Sequence, residues 1–321
     1  MNNYPIPKSQ LPNNYNVYIY CPMNLKQTVG ILLFYLFTTV IMAQDKPAYL
    51  LFDAKGKKIN YKKALKKLSD ADIIFFGESH DNPISHWLEF EVLKDLKEQM
   101  KKENLKVGVE MFERDQQEML SQYLNGEIDE ETFQDSLKLW RNYNTDYRPI
   151  VEYCKENGIP FFGTNVPRRF ASMAYKGGID TLLNLSEEEK SWIAPLPFHI
   201  EYELPSYQNM KTLMGGHGMD DEKLSRFIEA QATKDATMAH FTLENYTEGA
   251  TIVHYNGSYH SDYKEGIAWY IRQKNPSLKI VNITTIEQES LNGLEEEYKN
   301  KADIVIAVPA SMTKTYVFGM N

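Results

Sequence analysis

Cysteine is scarce in this sequence, whose 321 residues include only Cys21 and Cys154. Cys21 lies in an N-terminal stretch that we expect to be removed, so the mature chain keeps one thiol and forms no internal disulfide. The absence of a Cys-x-x-Cys-His motif excludes covalent c-type haem attachment, and the single remaining thiol excludes a cysteine-based zinc site. No lipobox Cys follows the N-terminal apolar run, so the chain offers no cysteine for lipoprotein attachment.

Positive charge is also in deficit, because 35 Lys and Arg residues face 44 Asp and Glu residues and leave a net charge of −9. Proteins that bind nucleic acid usually need a basic face, so we expect no nucleic-acid partner. The length and the 42% hydrophobic content suit one large domain or two small ones, with a core that needs no covalent cross-links.

The N-terminus carries a targeting pattern. Lys26 precedes an apolar run from Val29 to Met42, and polar residues follow Ala43. This pattern predicts a signal peptide cleaved after Ala43 and export to the periplasm or the envelope, with an uncleaved anchor as the alternative. The polar residues before Met23 sit awkwardly ahead of a signal peptide, which favours Met23 as the true start. We therefore predict a leader plus signal peptide over residues 1–43 and a single domain over residues 44–321.

Short apolar runs that are typical of buried parallel strands recur along the rest of the chain, at residues 72–77, 106–111, 160–165, 250–256, 279–284 and 303–308. Helical patterns lie between them. One begins at Asp81-Asn82-Pro83, where a capping residue precedes proline, and another runs from Asp220 to Tyr246. The alternation predicts an α/β fold: a mostly parallel sheet with helices on both faces.

The segment from Trp192 to Met219 departs from this alternation. It is rich in aromatic and methionine side chains, and Pro195, Pro197 and Pro205 disfavour a continuous helix. We interpret it as an irregular or helical insertion. It is either a surface excursion that packs on itself or a lid-like segment around residues 192–219 that covers a ligand pocket.

Polar residues follow four of the predicted strands: Glu78 and His80 the first, Glu110 the second, Asn165 the third and His260 the fourth. Because ligands of open parallel sheets bind beyond the carboxyl ends of the strands, these side chains should converge. His80, Glu110 and His260 could hold a divalent metal ion for hydrolysis, and with Glu78 they could serve as general acid and base without one. Single residues of this kind are more often caps or solvated loop residues.

Several motifs, taken in order, resemble the ChaN-like haem-binding uptake family, within the Tiki, TraB and erythromycin-esterase-like superfamily. They are Gly77-Glu78-Ser79-His80-Asp81-Asn82-Pro83, Val109-Glu110-Met111-Phe112-Glu113-Arg114-Asp115-Gln116-Gln117, Trp140 with Asp146-Tyr147-Arg148-Pro149, Asn165-Val166-Pro167-Arg168, Ala230-Gln231-Ala232 with Asp235-Ala236-Thr237-Met238-Ala239, and Asn256-Gly257-Ser258-Tyr259-His260. The resemblance extends from about Ile73 to Ile271.

The resemblance implies non-covalent haem binding and a role in bacterial iron or haem acquisition at the envelope. It also implies three kinds of partner: haem or an iron complex, envelope haem-uptake components, and a second copy of the chain in a homodimer. The superfamily pattern pairs two Gly-x-x-His motifs with a glutamate, which here are His80, His260 and Glu110, with Glu78 beside them. Several relatives are metal-dependent hydrolases, so a hydrolase with a divalent metal ion is the alternative. Members are often lipoproteins, and the missing lipobox Cys puts membrane anchoring in doubt.

The haem ligands of the family do not map onto one motif of this chain. Arg168 and Arg169 could pair with propionates bidentately, or form a solvated pair at a helix start. A tyrosinate can ligate ferric haem, and the tyrosines near the predicted site or the irregular segment are Tyr147, Tyr202, Tyr207, Tyr255 and Tyr259. We predict cofactor-binding roles for Arg168, Arg169, Tyr147, Tyr207 and His217.

Overall fold

A mixed sheet of eight strands lies at the centre of the computed structural model, which describes residues 46–100, 104–215 and 220–316. The strands are β1 (Leu50–Asp53), β2 (Lys58–Ile59), β3 (Ile73–Glu78), β4 (Leu105–Glu113), β5 (Phe161–Asn165), β6 (Thr251–Gly257), β7 (Ile280–Gln288) and β8 (Ile304–Pro309). Their order is β2-β1-β8-β7-β3-β6-β4-β5. The strands from β8 to β5 are parallel, whereas β1 pairs antiparallel with β2 and with β8.

Helices connect the parallel strands. They are α1 (Tyr61–Leu68), α2 (Pro83–Met100), α3 (Gln117–Leu124), α4 (Glu130–Ser136), α5 (Arg148–Glu156), α6 (Arg168–Gly177), α7 (Glu187–Lys190), α8 (Pro205–Gly215), α9 (Asp221–Asn245) and α10 (Ile267–Lys274). The two helix starts predicted from the sequence are capped as expected. Asn82 accepts hydrogen bonds from the backbone of Ile84 and Ser85 at 3.0 and 3.2 Å, and Asp220 accepts one from Lys223 at 2.8 Å.

Alternate residues of β3 pack on opposite faces of the sheet. Ile73 and Phe75 belong to a core cluster with residues of α9 and α10, while Ile74 and Phe76 belong to a larger cluster with residues of α1 and α2. Both faces of the central strands are therefore covered, which accounts for their nearly continuous apolar sequences. The predicted α/β fold, with a mostly parallel sheet and helices on both faces, is confirmed.

All six predicted strands are present, while the short antiparallel pair of β1 and β2 was not predicted. The segment that begins at Trp192 contains no regular element before Pro205. Pro205 then starts helix α8 instead of interrupting one, because the first helical position needs no backbone N–H. Ile193, Leu204 and Tyr207 of this segment are buried in the core. Its action as a lid stays a prediction.

The predicted leader and signal peptide, residues 1–43, lie outside the described residues. Within residues 46–100, 104–215 and 220–316, no helix combines the length and the hydropathy needed to cross a bilayer.

Candidate functional site

An open cavity of about 450 Å³ lies at the carboxyl ends of the central strands β3 and β6. Its wall includes Glu78 and His80 after β3, Tyr259 and His260 after β6, and Met210 of α8. This is the edge of a parallel sheet at which ligands are expected to bind.

The strand register brings the polar residues together. Glu78 is the register partner of Gly257 at the ends of β3 and β6. The ladder between β6 and β4 stops at Val109, and the pairing of β4 with β5 shifts register between Val109 and Glu113. Glu110 therefore lies in an irregular part of its strand, where such a shift can redirect a side chain. Its Oε2 accepts a hydrogen bond of 2.8 Å from the backbone N–H of Gly257.

One side of the site is a pair formed by His80 and Glu78. Nδ1–H of His80 donates to Oε1 of Glu78 at 2.5 Å, and the hydroxyl of Tyr147 donates to the same oxygen at 2.8 Å. The ring of Trp140 packs edge-on against His80, with 5.0 Å between ring centroids. Burial opposes ionisation of Glu78, but the imidazoles of His86 and His80 outweigh it and lower the pKa of Glu78 to about 2. Burial opposes the charged form of His80 too, and hydrogen bonding to Glu78 outweighs it, which raises the pKa of His80.

The other side of the site is a buried pair formed by His260 and Asp235 of α9. Nδ1–H of His260 donates to Oδ1 of Asp235 at 2.5 Å, and Nε2 lies 3.4 Å from Oε1 of Glu110. The hydroxyl of Tyr207 donates to the second oxygen of Asp235 at 2.8 Å. Burial opposes a charged imidazole, but the carboxylates of Glu110 and Asp235 raise the pKa of His260 to about 9.

Both imidazoles are thus held at Nδ1 by a carboxylate, which leaves Nε2 directed towards Gly257 in His80 and towards Glu110 in His260. This orientation of histidine by a carboxylate is common in metal sites and in acid–base catalysis. The structure places Glu78, His80 and His260 on the cavity wall, whereas Glu110 is absent from the wall and lies beside His260. Among the described residues, the ligand atoms of His80, Glu110 and His260 do not all lie within 4.8 Å of one another, so a metal ion held by these three residues stays a prediction.

The five candidate tyrosines differ in what their hydroxyls contact. Four are hydrogen bonded to protein acceptors: Tyr147 to Glu78, Tyr202 to Glu229, Tyr207 to Asp235 and Tyr255 to the backbone of Glu89. Tyr259, by contrast, is 56% exposed and lines the cavity, and its hydroxyl makes no hydrogen bond to the described residues. Tyr147 and Tyr207 are buried behind the carboxylates, a position that does not favour either as an iron ligand.

The two arginines lie at the start of α6 and are absent from the cavity wall. Arg169 forms an ion pair with Asp115, and the backbone N–H of Arg168 donates to Glu113 at 2.9 Å. Asn165 ends β5 and is also absent from the wall. His217 falls outside the described residues. The cation that does line the cavity is Lys314, which contacts Glu287 and lies 3.2 Å from Asp81.

Gln231, Asp235, Met210 and Lys314 received no site role from the sequence. Gln231 and Asp235 are one turn apart on α9 and both are buried. They belong to the motif over residues 230–239 that resembles the family. Two polar residues at i and i+4, set among the alanines of residues 230–239, are the sequence signal that could have indicated them. For Lys314, which follows the last strand, the sequence shows no comparable signal.

Solved structures with the same fold include ChaN of Campylobacter jejuni, described with cofacial haem binding. That chain is 20% identical, with a TM-score of 0.62 over 82% of this chain and 98% of its own. The erythromycin esterase EreC in its open conformation is 12% identical, with a TM-score of 0.45 over 81% of this chain and 97% of its own.

Among curated proteins, Protein RETICULATA-RELATED 5, chloroplastic, from Arabidopsis thaliana is 27% identical over 139 residues, which are 42% of this chain. The match spans 18% of that relative, less than a fifth of its length. The family model described as "Haem-binding uptake, Tiki superfamily, ChaN" matches residues 64–271. The chain therefore belongs to the haem-binding uptake family ChaN of the Tiki superfamily.

Proposed function

We propose that this chain is an exported protein that binds haem non-covalently in the cavity at the ends of β3 and β6, and that it serves bacterial haem or iron acquisition. The observation that carries the proposal is Tyr259, whose exposed ring and hydroxyl stand on the wall of the cavity. Membership of a haem-binding uptake family supports the choice of ligand.

In this proposal Tyr259 would hold the haem iron through its phenolate oxygen. It lies in the short 3-10 turn Ser258–His260 that follows β6, so a regular strand fixes the position of its backbone. Phenolate oxygen is an established ligand of ferric haem, whereas the phenols of Tyr147 and Tyr207 already donate to carboxylates. Met210 supplies apolar contact for the macrocycle, and the volume of about 450 Å³ falls in the range of small-molecule sites.

The propionates need cationic partners, because they are anionic in a protein that is itself acidic. Lys314 lies on the cavity wall and can exchange its contact with Asp81 for a propionate. His80 lines the same wall and can also contribute, since it is 29% exposed and its Nε2 makes no hydrogen bond within the described part of the chain. Charge-assisted hydrogen bonds of this kind orient an anionic group. The open mouth of the cavity would let bound haem face a second copy, consistent with a homodimer.

The test is to titrate hemin into the wild-type protein and to follow the Soret band, with Tyr259→Phe and Tyr263→Phe as a matched pair. Tyr263 is also exposed and lies four residues away, yet it is absent from the cavity wall. We expect a saturable Soret shift in the wild type and in Tyr263→Phe, and at least a tenfold weaker affinity in Tyr259→Phe. Absence of a saturable shift in the wild type would rule out haem binding.

Export needs its own test, which is N-terminal sequencing of the protein from its native host. The proposal expects a mature chain that begins at Gln44. A mature chain that still begins at Met1 would contradict it.

A metal-dependent hydrolase is the second candidate function. It is favoured by the paired imidazoles, which His80 and His260 present from opposite sides with Glu110 beside them. Such a site would hold a divalent ion that polarises a substrate and activates water. Ester hydrolysis that requires added Zn²⁺ or Mn²⁺ and that is lost in Glu110→Gln would support it. Activity of Glu110→Gln equal to that of the wild type would count against it.

A further inference from the structure

We propose that Glu78, His86 and Glu89 form a second, interior site that binds one divalent metal ion of the first transition row, such as Zn²⁺. This interior site lies behind the cavity and does not depend on the proposed haem binding. One ligand atom from each residue lies within 4.8 Å of the other two, and all three residues are buried.

The secondary structure fixes the three side chains. His86 and Glu89 are three residues apart on α2 and so project from the same face of the helix. Glu78 ends β3, the strand that precedes this helix, and its second oxygen extends to the same point. The ligands therefore come from two adjacent rigid elements and need no loop movement to meet.

The orientation of His86 indicates what the interior site holds. Nε2 lies 3.1 Å from the backbone carbonyl of His80, and donation of Nε2–H to that oxygen would leave the lone pair on Nδ1. Nδ1 lies 3.0 Å from Oε2 of Glu89 and 3.4 Å from Oε2 of Glu78. Metal-ligating histidines are typically oriented by such a bond from the other ring nitrogen. With Nδ1 unprotonated, three electron-rich atoms face one another and favour a cation between them. Burial opposes a charged imidazole, but without a metal ion the carboxylates of Glu89 and Glu78 raise the pKa of His86 to about 10, so a proton on Nδ1 takes that place.

Two carboxylate oxygens of the interior site lack partners. Oε2 of Glu78 and Oε1 of Glu89 are buried and accept no hydrogen bond from the described residues. A buried carboxylate without a donor is costly, so both oxygens favour the arrival of positive charge. In the absence of a metal ion, burial and the Glu78 carboxylate raise the pKa of Glu89 well above its usual range. A proton is therefore the competitor of the metal ion.

The donor set narrows the choice of ion. One imidazole and two carboxylates without a thiolate are ligands of Zn²⁺, Mn²⁺ or Fe²⁺. Oε2 of Glu78 would then bind the ion, while Oε1 accepts the hydrogen bonds from His80 and Tyr147. Through Glu78, the ion would hold the histidine that faces the cavity.

The experiment uses haem-free full-length protein, refolded with Zn²⁺ and then freed of unbound metal by gel filtration. Elemental analysis gives the zinc content per chain, and circular dichroism monitors the fold. We expect His86→Gln and Glu89→Gln to bind one zinc ion fewer than the wild type, whereas His260→Gln, altered in the cavity, keeps that ion. Because no haem is present, the result is independent of the hemin titration.

Wild-type protein that retains no zinc would overturn the proposal and would assign a proton to the interior site. Zinc that is lost in His260→Gln but kept in Glu89→Gln would also overturn it. If the His86 and Glu89 variants fail to fold, anomalous diffraction at the zinc edge from wild-type crystals decides without a variant. A peak between Glu78, His86 and Glu89 supports the interior site, and no peak there refutes it.

Discussion

The imidazole of His80 lies directly against the α-carbon of Gly257, so that a methyl group at residue 257 would be 2.7 Å from Nε2 of His80. The backbone at Gly257 has a φ of −56°, which any residue can adopt. The close approach of the imidazole, and not the backbone conformation, is therefore what disfavours a larger side chain at residue 257. This contact gives a physical reason for the glycine in the second Gly-x-x-His motif.

Gly257→Ala should displace His80 from the cavity wall. We expect a loss of about 1–3 kcal/mol in the free energy of unfolding and weaker binding of hemin, because the added methyl overpacks a rigid site. Urea denaturation and hemin titration measure the two effects. Gly293→Ala is the control, since a methyl there meets no atom within 4 Å and should change stability by less than about 0.5 kcal/mol. Equal effects of the two substitutions would contradict the close contact.

Asp235→Asn should destabilise the protein more than Tyr207→Phe does. The buried carboxylate of Asp235 accepts from both His260 and Tyr207, and an amide can accept from only one of them. We expect a loss of about 2–3 kcal/mol for Asp235→Asn and about 1 kcal/mol for Tyr207→Phe, measured by urea denaturation. Similar losses for the two variants would indicate that the bond to His260 contributes little.

Met210→Ala should weaken hemin binding about fivefold, because a bound macrocycle would lose apolar contact worth about 1 kcal/mol. Leu213 provides the comparison: it lies on the same helix, is 60% exposed and is absent from the cavity wall. Leu213→Ala should therefore leave the affinity unchanged. If both variants bind hemin as the wild type does, α8 does not contact the ligand.

The pH dependence of stability should carry a contribution from His254, which is buried in β6. Burial lowers its pKa from 6.5 to about 4. Below pH 6.5 the unfolded chain therefore binds a proton at His254 that the folded chain does not bind until about pH 4. From this group, the free energy of unfolding should fall by about 2 kcal/mol between pH 7 and pH 5.

Urea denaturation at the two pH values tests this contribution. On going from pH 7 to pH 5, the free energy of unfolding of the wild type should fall by about 2 kcal/mol relative to that of His254→Gln, because His80 and His260, whose pKa values are raised, contribute equally to both proteins. The exposed His199, altered in the same way, should behave as the wild type does. A wild-type pH dependence in His254→Gln would show that another group is responsible.

The sheet could be predicted from the sequence because its parallel strands are buried on both faces. Ile73 to Phe76 are all apolar for this reason, and the same holds for Ile304 to Val308. Strand β2 has only two residues, Lys58 and Ile59, and no periodicity can be detected over that length. The antiparallel edge of the sheet was missed because its strands are short.

The candidate site was predictable where a residue lies at the end of a strand or within a few residues of it, as Glu78 and His260 do. Asp235 could not be assigned in this way, because it reaches His260 only through the packing of α9 against the sheet. The tyrosines show the same limit. Tyr259 and Tyr207 are equivalent in the sequence, and only tertiary structure exposes one hydroxyl and pairs the other with a carboxylate.

Half of the sheet lies outside residues 64–271, the stretch that matches the family model, because β1, β2, β7 and β8 all fall beyond it. Strand β7 pairs with β3 from Ile73 to Gly77, in the middle of the sheet. A fragment trimmed to the recognisable motifs would leave β3 as an open edge with unpaired backbone groups, which invites association with other chains. Expression boundaries for this family should therefore enclose the hydrogen-bonded sheet, here from Leu50 to Pro309, together with Lys314 of the cavity wall, and not only the extent of the motifs.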